Sequence, residues 1–247
     1  MMALAALAWG AIAGSAVFIG ALIAWIGRPP ARLVAGAMAF ASGVLLSVAA
    51  FELLDEAFAH GGFLPVAAGY TAGAVLFGLG LYALDRAGAS HRKRADPAVG
   101  PGVEAGGMVA LGTLLDGIPE ALIIGLNFYV GEGLGIATVI AVFLSNVPES
   151  INSTTRMKGV GHSPRYVLGV WTGVAVVTGL ASLAGYLLLG DVRPEGVSII
   201  RGIAGGAFLV FIVDTMIPEA FAEDRNAAGL ITALGFLIGF GLSHGFA

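Results

Sequence analysis

Apolar stretches long enough to cross a membrane follow one another with hardly a gap along all 247 residues of the chain. That one feature dictates the solvent: about 20 nonpolar residues in a row span a bilayer as a helix, and a chain built of little else has no room for a large soluble domain. Composition agrees, with 57% hydrophobic residues, 11% charged residues and a mean hydropathy of +0.92, far outside the soluble range. The chain is read as an all-α integral membrane protein, a single polytopic domain over 1–247, multi-pass in the cell membrane. The first run, from Ala3 to Ile26, has no basic residue before it and exceeds a signal-peptide core, so it is read as a retained helix. With no cysteine, disulfides and thiolate metal sites are excluded.

Charged and Pro/Gly-rich breaks divide the chain into eight spans, at about 3–26, 32–58, 63–85, 105–128, 133–157, 164–190, 197–222 and 227–246. Basic residues then sort by side. Arg28, Arg32, Arg86, Arg92, Lys93, Arg94, Arg156, Lys158, Arg165 and Arg225 fall together, against Arg193 and Arg201 on the other side. The positive-inside rule puts the first group in the cytoplasm and both termini outside. The segment 86–104, basic and then rich in proline and glycine, is a cytoplasmic linker separating three spans from five.

Laid over itself at an offset of 163 residues, the chain matches ASGVLLSVAAFELLDEAFA (41–59) with AGGAFLVFIVDTMIPEAFA (204–222) at seven of nineteen positions. Glu56 with Glu219 and Phe58 with Phe221 carry the match, because small residues coincide easily between membrane helices. Span two and span seven run in opposite directions, so the repeat is inverted, an architecture common in secondary transporters. Spans four and five lie between the repeated units, which makes a 3+2+3 arrangement.

These two middle spans contain LLDGIPEAL (114–122) and LSNVPESIN (144–152). Pro119 and Pro148 each lack an N–H and crowd the carbonyl four residues back, so they are read as helix-breaking residues that release the carbonyls of Leu115 and Leu144. Asp116 and Glu120 share one face of span four, and Ser145 and Glu149 share one face of span five, with Asn146 beside them. An ionised carboxylate in mid-bilayer costs about 2.5–3.5 kcal/mol on insertion scales. The histidines, His60, His91, His162 and His244, all lie near span ends or in loops, so none is placed to neutralise these acids. Either a divalent cation does so or the carboxyls stay protonated. The oxygen donors suit a hard or borderline ion. Glu52, Asp55 and Glu56 in span two, with Asp214 and Glu219 in span seven, are read as a transport pathway leading to and from the centre. For Glu223 and Asp224, ordinary interfacial charge is the favoured reading.

Eight spans, a long third loop and a Pro-Glu motif in each of spans four and five resemble the ZIP (Zrt/Irt-like protein) family of divalent metal transporters over essentially the whole chain. FASGVLLSVAAFELLDEAF and MIPEAF are similar to that family's second and seventh spans. The family pattern is His-Asn-x-Pro-Glu-Gly in span four and His- or Gln-x-x-Pro-Glu-Gly in span five. Here Asp116, Gly117 and Glu120 occupy the ligand positions of span four, and Ser145, Asn146 and Glu149 those of span five. Ala121 and Ser150 replace the terminal glycines, and span six offers no acidic residue to a second metal. The resemblance implies one bound ion in an oxygen-only site of Asp116, Glu120, Ser145, Asn146 and Glu149. It implies carriage of zinc, ferrous iron or manganese toward the cytoplasm, with the zinc preference weakened by the lost histidine. It also implies a homodimer. No enzymatic activity, organic cofactor or nucleic-acid partner is expected. The alternative is a protein of the same fold whose transport is altered or lost, serving as a metal sensor or interaction partner.

Overall fold

The computed structural model describes residues 2–27, 29–86, 104–130, 136–188 and 193–245, apart from several side chains between 104 and 137 and that of Asp85. The segment 87–103, which holds nearly all of the expected cytoplasmic linker, lies outside the described residues. Eight long helices are present, and no strand is found among the described residues: α1 (Met2–Ile26), α2 (Ala31–Gly61), α3 (Phe63–Arg86), α4 (Glu104–Val130), α5 (Ile136–Gly159), α6 (Pro164–Leu188), α7 (Pro194–Glu223) and α8 (Ala228–His244). Their bounds follow the eight expected spans closely. Helices α1, α2, α3, α6 and α7 are long and apolar enough to cross a membrane, and α8 is a shorter apolar helix. Large side chains such as Leu4, Leu22, Leu76, Leu187, Leu230 and Leu237 face outward from the bundle, as a lipid-facing surface requires.

The helix ends follow from local chemistry. Gly62, at φ 71, turns the chain between α2 and α3 with backbone angles that a side chain would strain. Helix α5 closes in a Schellman motif: His162 N–H donates to the Met157 carbonyl at 3.0 Å and Gly161, at φ 86, to that of Lys158 at 3.1 Å. The Ser163 hydroxyl then accepts from the Tyr166 N–H at 3.3 Å and starts α6.

Packing sorts the helices into two groups. Helix α1 lies against α5 and α6, and α4 against α6; in the second group α3 packs on α7 and α2 on α8. The main seam between the groups is α2 on α5. Its apolar core joins Ile123, Leu126 and Ala141 of the first group to Leu45, Val48, Ala204 and Phe208 of the second.

The inverted repeat is visible in this packing. Gly43 of α2 lies against the backbone of Thr232 and Phe236 in α8, and Gly206, 163 residues later in α7, lies against the backbone of Tyr70 and Ala74 in α3. Reciprocally, Gly73 meets the Ile203 backbone and Gly235 meets that of Phe40. A Cβ at any of the four would clash with a main-chain carbonyl, so only glycine permits these approaches. Helix α2 widens into a π-helix at Ala49–Asp55 and α7 does so at Ile212–Met216, beginning 163 residues apart. In α7 the cause is local, since Pro218 cannot donate and crowds the carbonyl of Asp214. The stretch in α2 contains no proline, and nothing in its sequence marks the widening.

Candidate metal centre

Both Pro-Glu motifs fall inside helices that continue past them. Pro119 lies within α4 and Pro148 within α5, and neither helix ends there. The expected breaks are thus corrected to local losses of one ladder hydrogen bond each, which packing against neighbouring helices tolerates.

Around them the polar side chains are withdrawn from the surface: Glu120 and Ser145 are each 2% exposed, Asn146 is 6% and Glu149 is 9%. Thr113 of α4 donates its hydroxyl to Glu149 Oε1 at 3.0 Å, tying the two helices together at a carboxylate. Glu120 lies seven residues beyond Thr113 and therefore on the same face of α4. The Ser145 hydroxyl donates to the Val142 carbonyl of its own helix at 3.0 Å, a bond that uses its hydrogen and neither of the oxygen's two lone pairs, which are what a cation would bind. Asp116 sits on α4 between Thr113 and Glu120, but its side chain lies outside the described residues. Among the described residues no three acidic or histidine side chains are grouped closely enough to hold a metal. Gly117 is buried, and a Cβ there would stand 3.8 Å from Thr178 Oγ1 of α6, so α6 presents a hydroxyl toward that position.

Two stripes emerge that the motifs alone did not reveal. On α4, Thr113, Glu120 and Asn127 recur every seven residues; on α5, Thr138, Ser145, Glu149, Asn152 and Arg156 follow the spacing of a single face. Polar residues at helical spacing through two apolar spans were the available signal, obscured by the conspicuous Pro-Glu pairs.

At one end of the molecule this face of α5 opens into a cavity of about 880 Å³ whose walls include Asn152, Arg156, Asp214, Glu219, Glu223 and Tyr82. Arg156 Nη2 donates to Glu219 Oε1 at 2.8 Å, with the two side chains 35% and 25% exposed. At the other end the stripes meet a different partner. Arg201 of α7, assigned by sequence to a loop-side charge, is 1% exposed within the bundle. Its Nη1 lies 2.8 Å from Glu56 Oε2 on α2, and its Nη2 donates to Asn127 Oδ1 on α4 at 3.3 Å. An arginine so deep needs its charge and its fork of donors satisfied within the protein, which outweighs a place at the interface. Glu52, in the π segment of α2, accepts from Thr138 of α5 and from Ser243 of α8, the latter at 3.4 Å. Asp55 is exposed beside a smaller apolar pocket between α2 and α3.

No family model matches the sequence. Curated relatives do. The zinc transporter ZupT of Escherichia coli O7:K1 (strain IAI39 / ExPEC) is 30% identical over 230 residues, covering 87% of this chain and 86% of that protein. The zinc transporters ZupT of Escherichia coli O1:K1 / APEC and of Escherichia coli strain K12 / DH10B match with the same identity and coverage. That level of likeness over nearly the full length of both chains, joined to eight helices, two buried Pro-Glu motifs and an inverted repeat, places this multi-pass membrane protein in the ZIP family.

Proposed function

We propose that the protein carries a divalent metal cation across the membrane through the faces of α4 and α5 that hold Glu120 and Glu149. The observation that carries this reading is the burial of those two carboxylates, 2% and 9% exposed, on stripes that reach a cavity at one end of the molecule. Acidic side chains so deep in a membrane protein are costly to keep there and mark ion pathways, where they supply negative oxygen ligands to a passing cation. The relatives' zinc transport supports the class of cargo.

Asp116, Glu120 and Glu149 provide charge to the ion, and Ser145 and Asn146 complete its shell. An oxygen-only set of this kind admits manganese and ferrous iron alongside zinc. Arg156, Lys158 and Arg165 lie toward the cavity end, so the positive-inside rule supports release into the cytoplasm there. Asp214 and Glu219 line the exit, and Glu52, Asp55 and Glu56 stand on the entry side. Protonation of the carboxylates during release couples the step to pH.

Uptake of zinc, manganese and ferrous iron into proteoliposomes tests the reading. The parent protein is expected to fill the vesicles with at least one of these ions, and Glu120→Ala combined with Glu149→Ala is expected to reduce uptake to the protein-free background. Bound metal without flux from correctly folded protein would instead assign the chain a sensing or partner-binding role.

A further inference from the structure

Side-chain bonds that cross between the two helix groups include Thr138 to Glu52, Arg201 to Asn127, and Arg156 to Glu219. Each involves a carboxylate of the expected pathway or an arginine bound to one. Two lie at the end away from the cavity and one beside the cavity. At the end opposite that cavity Gly61 of α2 meets Ser198 of α7, so these two helices of the second group are closely packed there.

We infer that Arg201 is a latch that closes the end opposite the cavity, anchored permanently to Glu56 within its own helix group and reversibly to Asn127 of the other. Two features of the contacts assign these roles. The bond to Glu56 is a short ion pair at 2.8 Å inside the group that already packs as a unit. The bond to Asn127 is longer, 3.3 Å, and joins charge to a neutral amide across the seam. When the groups separate at this end, the neutral contact breaks and the ion pair travels intact, so no charge is stranded in a low-dielectric interior. The Thr138–Glu52 bond lies at the same end and opens with it. The inference depends on the proposed transport only for its purpose, since a latch between the groups exists whether or not an ion is carried.

The absence of cysteine makes the latch directly measurable. Two single-cysteine reporters are placed in nanodiscs and timed against a water-soluble maleimide: Ala141→Cys, at a site 0% exposed in the core between the groups, and Thr155→Cys, which lines the cavity. In the parent, the cavity reporter is expected to react and the core reporter to be protected. Asn127→Ala, which leaves the Arg201–Glu56 pair in place, is expected to speed labelling at 141 about tenfold, the worth of one hydrogen bond to a charged group, with labelling at 155 unchanged. The charge-neutral pair Arg201→Gln with Glu56→Gln gives a second version that leaves no stranded charge and is expected to act the same way. Unchanged labelling at 141 in both well-folded variants overturns the latch, as does an equal rise at both reporters, which marks general loosening. Zinc uptake by the parent, measured alongside, separates the two readings: a labelling response without uptake removes transport and keeps the latch, and uptake without a labelling response does the reverse.

Discussion

The two ends of the molecule hold arginine–glutamate pairs of equal length, 2.8 Å each, whose arginines differ sharply in burial. Arg201 is 1% exposed and shares its guanidinium between Glu56, itself 42% exposed, and Asn127. Arg156 is 35% exposed beside an open cavity and meets Glu219 there. The carboxylates are related by the inverted repeat, whereas the arginines are not: Glu56 receives its partner from α7, and Glu219 from α5. A symmetric scaffold has therefore been given asymmetric closures. Distance alone misleads about such pairs, because water reaches both side chains of the Arg156 pair, whereas at the other end it reaches the Glu56 carboxylate and not the guanidinium, so losing that carboxylate leaves a charge in the interior.

The largest test of that contrast is Glu56→Ala, which takes the carboxylate away from the buried Arg201 guanidinium and is expected to lower stability by about 3 kcal/mol in thermal unfolding of the purified protein, with much of the loss recovered by adding Arg201→Gln. A smaller effect is expected from Gly206→Val and Gly43→Val, which force a side chain into main-chain contacts that the repeat places on α3 and α8; each should cost at least about 1–3 kcal/mol. Similar losses at the two glycines would show that the scaffold is symmetric in energy as well as in form, and a large disparity would confine the symmetry to geometry. Thr113→Val keeps the shape of the side chain but removes the donor to Glu149, and is expected to cost about 1.5–3 kcal/mol if the carboxylate is ionised. A change near zero would mean that Glu149 stands protonated or finds another donor. The smallest effect is assigned to Arg156→Ala, about 0–1 kcal/mol. Should Arg156→Ala prove as damaging as Glu56→Ala, the contrast between a screened arginine and a buried one fails.

Much of this architecture was legible beforehand because the bilayer leaves few solutions. A run of apolar residues has to be a helix, and eight such runs set the spans. The repeat was legible through Glu56 and Glu219, and it extends in three dimensions to glycine contacts and π segments that no alignment of those nineteen positions displayed. The burial of Glu120 and Glu149 was expected from their place in mid-span. Thr113, Asn127 and Thr138 were legible in principle, as members of seven-residue stripes, but single hydroxyls and amides recur so often in membrane helices that only a contact distinguishes them. Trp171 is fully buried with its indole N–H donating to Thr154 at 2.8 Å, a bond between α6 and α5 that only packing reveals.

Arg201 is the instructive case. By position it counted among loop-side charges, since one arginine near the start of a span ordinarily reaches the interface. Its real place depends on Glu56, 145 residues earlier, and Asn127, 74 residues earlier, arriving on either side of it. Removing it from the loop count leaves Arg193 as the sole basic residue on that side, so the expected orientation is sharpened.

The order of residues alone settled what the hydrocarbon demands: the number of helices, their lengths, the repeat that relates them and the carboxylates they carry inward. Those follow from transfer free energies, which each residue contributes with little regard to distant neighbours. Which carboxylates share their charge with an arginine, which end is sealed and which opens into a cavity depended on tertiary structure. Such outcomes are set by pairs of groups from remote helices, and a charge in a low-dielectric interior is stable only in the company that packing brings to it.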